Sequence, residues 1–515
     1  MNEPQDPILV ALYARVSSER QDVDISVSAQ LRVLSDYARK NGYAVAREYV
    51  DEAEGGRVPA RPESRRTIEE AGCTDTPFLH IGPERQLFLD DLLIESLGGL
   101  EIVMQRPVKP DAPGGDRAVG KREWPAYIGN SLHYDEEDGL FKAWYDTPRG
   151  VAYATSQDGV HWEKPSLGIR EYEGSTDNNL ISPGRNFSVI KDARDDDPSK
   201  RYKAMYWHSL RGSNAPWGGK GHFVAYSPDG GHWTPDERNP VIDFRNGLTD
   251  GQFVLGWDSD HDKYVAYMRP NTYFFDPDRR TSAWIASDDF VNWGPPVLAV
   301  EPEETDEVEI EYYRMTVAKY EGVYFGFIWV YHNDVVEFAD QSRDSILAAS
   351  RNGISWSKPF GSETFLPTGE PGDWDSRVID GERRAYGVGV AKLRRDGFAP
   401  VRPKSGEGAL TTEPLTFLGT TLHLNVESSR GRVEVEVLDQ RGEPVEGYSR
   451  ADCVPISTDS TDHTVKWSGD RDLVHATDTP ADIGGETRAF RSRLRKPVRL
   501  RFNLKDASLY SFWVD

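Results

Sequence analysis

The chain has 515 residues and a formal net charge of −24, with 37 % hydrophobic and 28 % charged residues, which gives room for two to four domains and at least one large core. No apolar run is long enough for a membrane-spanning helix, MNEPQDPILV lacks the regions of a secretory signal, and Cys73 and Cys453 lie too far apart to suggest a disulfide framework or zinc site. DNA phosphates demand concentrated Lys and Arg, so this balance argues against a nucleic-acid partner. The expectation is a cytoplasmic, cofactor-free globular protein that engages no membrane.

The first predicted elements are α/β. ILVALYARV reads as an apolar strand, Leu31, Leu34, Tyr37 and Ala38 recur at helical spacing over Ser28–Asn41, and YAVAREYVDE reads as a second strand. A polar link then leads into a short helix near Arg65–Ala71.

Within this stretch ALYARVSSERQ carries a Tyr-x-Arg-x-Ser motif, and the text continues to ARPESRRTIEEA. It resembles the N-terminal segment of serine recombinases. The resemblance implies that Ser17 is a nucleophile for a DNA phosphodiester and Arg15 one of its phosphate-binding partners. Phosphoryl displacement needs several cations around the transferring group. The family supplies them from an Asp-Arg segment after the next strand, where this chain reads GCTDTPFLHIGPERQLFLDD. Residues 1–75 are therefore expected to be a truncated recombinase-like segment fused to another protein.

From residue 78 to 403 the texture changes to short β-runs divided by Gly, Asp, Asn and Pro. One phrase recurs: SQDGVHW at 156, SPDGGHW at 227, SDDFVNW at 287 and SRNGISW at 350, so the copies start 71, 60 and 63 residues apart. Asp or Asn folds onto the backbone, Gly takes positive φ and Trp packs between sheets, which suits a tight turn between antiparallel strands. The Gly is replaced only at Phe290. LFKAWYD, RYKAMYW and KYVAYMR precede the first three copies and VYFGFIWVY the fourth. Four such units in series predict a β-propeller. A fifth blade after Trp374 has little sequence of its own and would draw on QLFLDDLLIE. Alternation in TLHLNV, GRVEVEVLD and VRLRFNL predicts a closing β-sandwich over 405–515.

Over most of its length, through QLFLDDLLIE, YDEEDGLFKAWY, GSTDNNLI, DDDPSKRYKAMY and KLRRDGF, the chain resembles a family of bacterial proteins related to five-bladed glycoside hydrolases, the invertase, levanase and arabinanase group. The resemblance implies a mainly β fold, a carbohydrate substrate or ligand, and carboxylates of different protonation state around one sugar. VIKDARDDDP matches the family's Arg-Asp-Pro phrase and nominates Asp192 as transition-state stabiliser. EIEYYRMTVAKY nominates Glu311 as general acid. Where invertases carry the nucleophile this chain has AYIGNSLHY, with no acid, leaving Glu123, Asp90 and Asp91 as substitutes. The missing acid keeps a non-catalytic carbohydrate-binding propeller as the alternative. A sialidase Asp-box would need one more residue between Asp and Gly than the repeated phrase has. Asp158 and Asp229 belong to that phrase and are assigned to folding. Asp195–Asp197 read as a solvated turn rather than a Ca²⁺ loop.

Overall fold

A computed structural model describes residues 78–109, 131–182 (148 excepted), 185–209, 220–243, 251–270, 279–303, 310–332, 344–367, 391–473 and 496–515, with the strands Leu9–Val16, Ala44–Glu52, Val378–Ile379 and Glu382–Arg383 and positions 248, 306 and 307. Among these residues the only helical element is the 3-10 turn Pro198–Lys200; the rest is β-structure and loop. The strands Leu9–Val16 and Ala44–Glu52 pair in parallel. The helices expected over 28–41 and 65–71 lie outside the described residues, as does most of the sequence assigned to a fifth blade.

The chain divides into two compact units, one of Met1–Gln86, Asp91–Glu101 and Val401–Asp515, the other of Leu87–Asp90 and Ile102–Pro400. In the first unit Ile94–Gly98 pairs with Glu407–Thr412, and Leu79–His80 with Leu415–Thr416. Part of the segment expected to help a fifth blade therefore completes the C-terminal sheets instead. One of these sheets runs Arg432–Leu438, Arg499–Lys505, Glu407–Thr412, Ile94–Gly98. Its Phe502 meets Phe512 of Ser508–Val514, in the other large sheet, at 5.3 Å between ring centroids.

The second unit holds four antiparallel sheets in chain order. Their first and second strands are Leu132–Asp135 with Leu140–Thr147, Arg185–Lys191 with Tyr202–Ser209, Phe253–Asp258 with Lys263–Met268, and Ile310–Tyr320 with Val323–His332. Each sheet packs on the next. Trp144 and Val151 meet Phe187 and Val189, Ile190 and Val224 meet Val254 and Ile285, and Val265 and Phe253 meet Tyr312 and Ile328. Leu87, Leu89 and Met104 cover the outer face of the fourth sheet with Ala399. Burial of these apolar faces, at about 25 cal/mol per Å² removed from water, is the main force that stacks the sheets.

The repeated phrase forms the turn that the sequence predicts. In the second sheet Ser227 Oγ accepts from Gly230 N at 2.8 Å, Asp229 Oδ1 accepts from Gly231 N and His232 N at 2.8 Å each, and Trp233 Nε1 donates to Gly230 O. The other copies repeat this pattern around Asp158, Asp289 and Asn352. Burial pushes the Asp229 carboxyl up, but the hydrogen bonds from His232 and Gly231 outweigh it and hold it at about 2. The third copy departs in residue but not in backbone: Phe290 adopts φ 67°, where Gly159, Gly230 and Gly353 have 74°, 80° and 69°. Its ring is fully buried against Tyr264 and Trp293, so side-chain burial offsets a conformation that costs an L-residue about 1–2 kcal/mol. Phe290→Gly should therefore relieve the backbone yet still lower stability by about 2–4 kcal/mol, because loss of a buried Phe costs about 3–5 kcal/mol. Urea unfolding checks this, and a gain in stability would show that backbone strain dominates.

At the far end of the first strand of each of the first three sheets an aspartate is clasped by the next sheet. Asp135 Oδ2 accepts from Tyr202 OH and Lys142 Nζ, both at 2.8 Å. Asp192 Oδ2 accepts from Lys203 Nζ at 2.8 Å and from Tyr264 OH. Asp258 accepts from Tyr324 OH at 2.7 Å and from His261 Nδ1 at 2.7 Å. Three successive junctions thus carry the same carboxylate–phenol contact.

Candidate functional site

The opposite ends of the four sheets bring a second set of polar residues together. Phe141, Tyr202, Tyr264 and Tyr324 are equivalent, since they pair with Ser156, Ser227, Ser287 and Ser350 of the repeated phrase. Five residues further along stand Asp146, Trp207, Arg269 and Trp329. These side chains sit at the ends of the second strands, beside the beginnings of the first strands.

The junctions here are polar. Asn186 N donates to Asp146 Oδ2 at 2.7 Å, and Gln252 Nε2 donates to Asn186 O at 2.6 Å. Ser131 Oγ accepts from Val189 N at 2.8 Å and Ser188 Oγ from Val254 N at 3.0 Å. Gly251 is so close that a Cβ would meet Arg269 Cβ at 2.8 Å and Tyr313 O at 3.1 Å. The starts of the first strands are therefore in contact from the first sheet to the fourth.

Glu311 is the second residue of Ile310–Tyr320 and is 6 % exposed. Its carboxylate forms an ion pair with Arg280 Nη1, and Tyr312 N donates to Arg280 O at 3.0 Å, which fixes the arginine backbone. A register shift between Tyr312 and Arg314 marks a bulge at Tyr313, and bulges re-aim side chains. The Tyr313 and Tyr331 rings are stacked at 5.7 Å and 30°. Arg269 lies 4.4 Å from the Tyr313 ring, Arg280 5.1 Å from Tyr331, and the buried Arg314 5.7 Å from Trp329. This assembly pairs a carboxylate with guanidinium groups beside an aromatic surface.

Asp192 is not part of it. It follows the last residue of Arg185–Lys191, whereas Glu311 opens its strand. With the starts of the first strands in contact, Asp192 and Glu311 occupy opposite ends of the stack, roughly 20 Å apart at about 3.3 Å per strand residue. The two nominated carboxylates thus stand at different ends of their strands. Asp90 is also far from Glu311 along the fourth sheet: Arg351, in its turn phrase, binds Asp90 through Nε at 2.9 Å and Nη2 at 3.1 Å. Asp91 O accepts from Ile94 N at 3.1 Å in a tight turn. Asp195 accepts from Lys203 Nζ, and Asp197 caps Pro198–Lys200 through Ser199 N. Glu123 and Ser17 lie outside the described residues, and Arg15 falls in Leu9–Val16. Asp146, Trp207 and Arg269 went unnominated although LFKAWYD, RYKAMYW and KYVAYMR signal them. Each run ends in a different chemically capable residue at one structural position.

Residues 10–76 match the family model described as "Resolvase, N terminal domain". No curated protein matches the chain. Similar solved structures include an N-acetylgalactosamine deacetylase from F. plautii in complex with blood group B trisaccharide, at 14 % identity over 73 % of this chain and 94 % of that one, with a TM-score of 0.35. A thermostable family-43 glycoside hydrolase is similar at 17 % identity over 59 % and 86 %, with a TM-score of 0.35. An exo-inulinase from Aspergillus awamori is similar at 14 % identity over 79 % and 99 %, with a TM-score of 0.36. Among the described residues no helix is long and apolar enough to cross a membrane.

Proposed function

We propose that this chain is a glycoside hydrolase built on a five-bladed β-propeller followed by a β-sandwich. The four stacked sheets are four of the blades, and Val378–Ile379 with Glu382–Arg383 belongs to the fifth. The observation that carries the reading is the Glu311 constellation, a buried carboxylate on Arg280 beside the stacked Tyr313 and Tyr331. In this reading Glu311 exchanges the proton with the glycosidic oxygen, and the two tyrosines support the sugar ring. Asp146, at the same end of the sheets as Glu311, takes the part of second carboxylate. Glycosidic cleavage asks for two such groups around one sugar.

Glu311→Gln keeps the shape of the side chain and removes its proton chemistry. Release of reducing sugar from whichever of inulin, levan or arabinan the protein cleaves should fall by at least about 100-fold, the low end of what a general acid supplies. The circular dichroism spectrum should not change. Unaltered turnover in Glu311→Gln would remove the assignment.

The ion pair itself favours a second reading, a propeller that binds carbohydrate without cleaving it, because Arg280 already occupies the Glu311 carboxylate. That reading predicts retardation on a glycan-containing gel with no product after long incubation, and released sugar excludes it. Strand exchange through Ser17 and Arg15 draws support only from the match over 10–76 and is not proposed.

A further inference from the structure

We infer a second ligand site at the opposite end of the sheets from Glu311, which takes a sugar-sized polyol bearing one anionic group, a carboxylate or a phosphate. A cavity of about 430 Å³ opens between the first strands of the first three sheets, with Tyr134, Lys191, Asp192, Arg194, Tyr202 and Trp257 in its wall. That volume lies within the range of about 300–1,000 Å³ typical of small-molecule sites. A register shift between Val254 and Gly256, with Gly256 at φ 112°, breaks the strand just before Trp257.

The ligand class follows from which charges are already committed. Lys142 is held by Asp135 at 2.8 Å and by Asp138. Lys191 lies 2.6 Å from Asp135 and 3.3 Å from Glu137. Asp192 is taken by Lys203 and Tyr264. Arg194 is different: its exposed guanidinium lies 3.3 Å from the centre of the Trp257 ring, and among the described residues it has no side-chain hydrogen bond or ion pair. Asp195 and Asp196 follow it directly in sequence and line an adjoining cleft with it, yet the guanidinium rests on the indole.

Trp257 is in turn packed edge-on against Tyr264 at 5.1 Å, so the platform under Arg194 is anchored in the clasp of the second and third sheets. A guanidinium held over an indole keeps its own planar set of N–H groups, a fork that fits carboxylate or phosphate oxygens two at a time. The ring of Tyr134, 54 % exposed and tilted against Phe141, offers the apolar contact that a sugar ring needs. The site is independent of Glu311 and of the reading given to it.

Isothermal titration of the full chain with glucuronate, glucose 6-phosphate, glucose and inorganic phosphate tests the inference. At least one of the two anionic sugars should bind, and glucose and inorganic phosphate should bind at least about tenfold more weakly, since a hydrogen bond to a charged group contributes about 1.5–3 kcal/mol. Tighter binding of glucuronate identifies a carboxylate ligand, and tighter binding of glucose 6-phosphate a phosphate ligand. Arg194→Gln should weaken the anionic sugar at least about tenfold with no change in melting temperature, and Arg194→Lys should recover only part of the loss. Binding unaffected by Arg194→Gln, glucose binding as well as its anionic counterparts, or no binding of either anionic sugar would each overturn the site. None of these results bears on Glu311→Gln.

Discussion

Asp192→Ala should destabilise the unit of stacked sheets by about 2–4 kcal/mol, the cost of leaving a buried phenol without its acceptor and the buried Lys203 ammonium with Asp195 as its one remaining carboxylate. The side chains of Asp192 and Lys203 are each 3 % exposed, and Tyr264 loses its acceptor as well. Asp192→Ala combined with Lys203→Met should recover part of the loss, because replacing both charges by apolar groups is often neutral. The pH dependence has a definite sign. Burial pushes the Asp135 and Asp192 carboxyls up, but hydrogen bonds from Lys142, Lys191 and Tyr202, and from Lys203 and Tyr264, outweigh it and leave both below the usual range. Stability from these groups is therefore complete above the unfolded carboxyl value of about 3.9 and is lost as pH falls below it. Urea unfolding at neutral pH and at successively lower pH reads both effects, and Asp192→Ala should show a shallower acid loss than the parent. A cost under about 1 kcal/mol, the size of an exposed pair, would mean that the clasp does not hold the sheets.

Gly230→Val is expected to cost a similar amount by another route. Gly230 has φ 80°, and a Cβ there would meet Trp144 Cζ2 at 2.7 Å. The same indole donates Nε1 to Gly230 O at 2.6 Å. Trp144 is 1 % exposed and packs on Tyr153 and Tyr202, so moving it disturbs the first sheet's junction with the second. Left-handed backbone costs a β-branched residue about 1–3 kcal/mol, and overpacking adds about 1–3 kcal/mol. Gly168→Val is the control: φ is 68° there too, with nothing within 4 Å of the added carbon, so only the backbone cost applies. Equal melting temperatures for the two variants would show that the Trp144 contact carries no weight.

The repeated turns were legible in the sequence because their chemistry is local. Ser, Asp or Asn, and Trp act within seven residues, and three of the four copies keep the glycine. Phe290 was legible only as an exception, since its compensation comes from Tyr264, in another strand. Glu311 could be read as a residue that opens a strand because EIEYYRMTVAKY is a long apolar-rich run. Asp192 was nominated from a short phrase, which does not say at which end of a strand it falls, and that end decides whether a carboxylate meets Glu311 or Tyr264. Asp90 has the same difficulty, because Arg351 is more than half the chain away in sequence. The pairing of Ile94–Gly98 with Glu407–Thr412 also had no local signature, since both partners read equally well as strands of either unit.

The clasp has a consequence for how such a chain grows. Its carboxylate comes from one sheet and its phenol from the next, at Asp135–Tyr202, Asp192–Tyr264 and Asp258–Tyr324. A copy of the second or third sheet therefore arrives with a phenol facing backwards and a carboxylate facing forwards, already complementary to neighbours that carry the same pair. Tandem duplication can lengthen the array without inventing a new interface, and one lost aspartate opens a single seam while its neighbours stay shut.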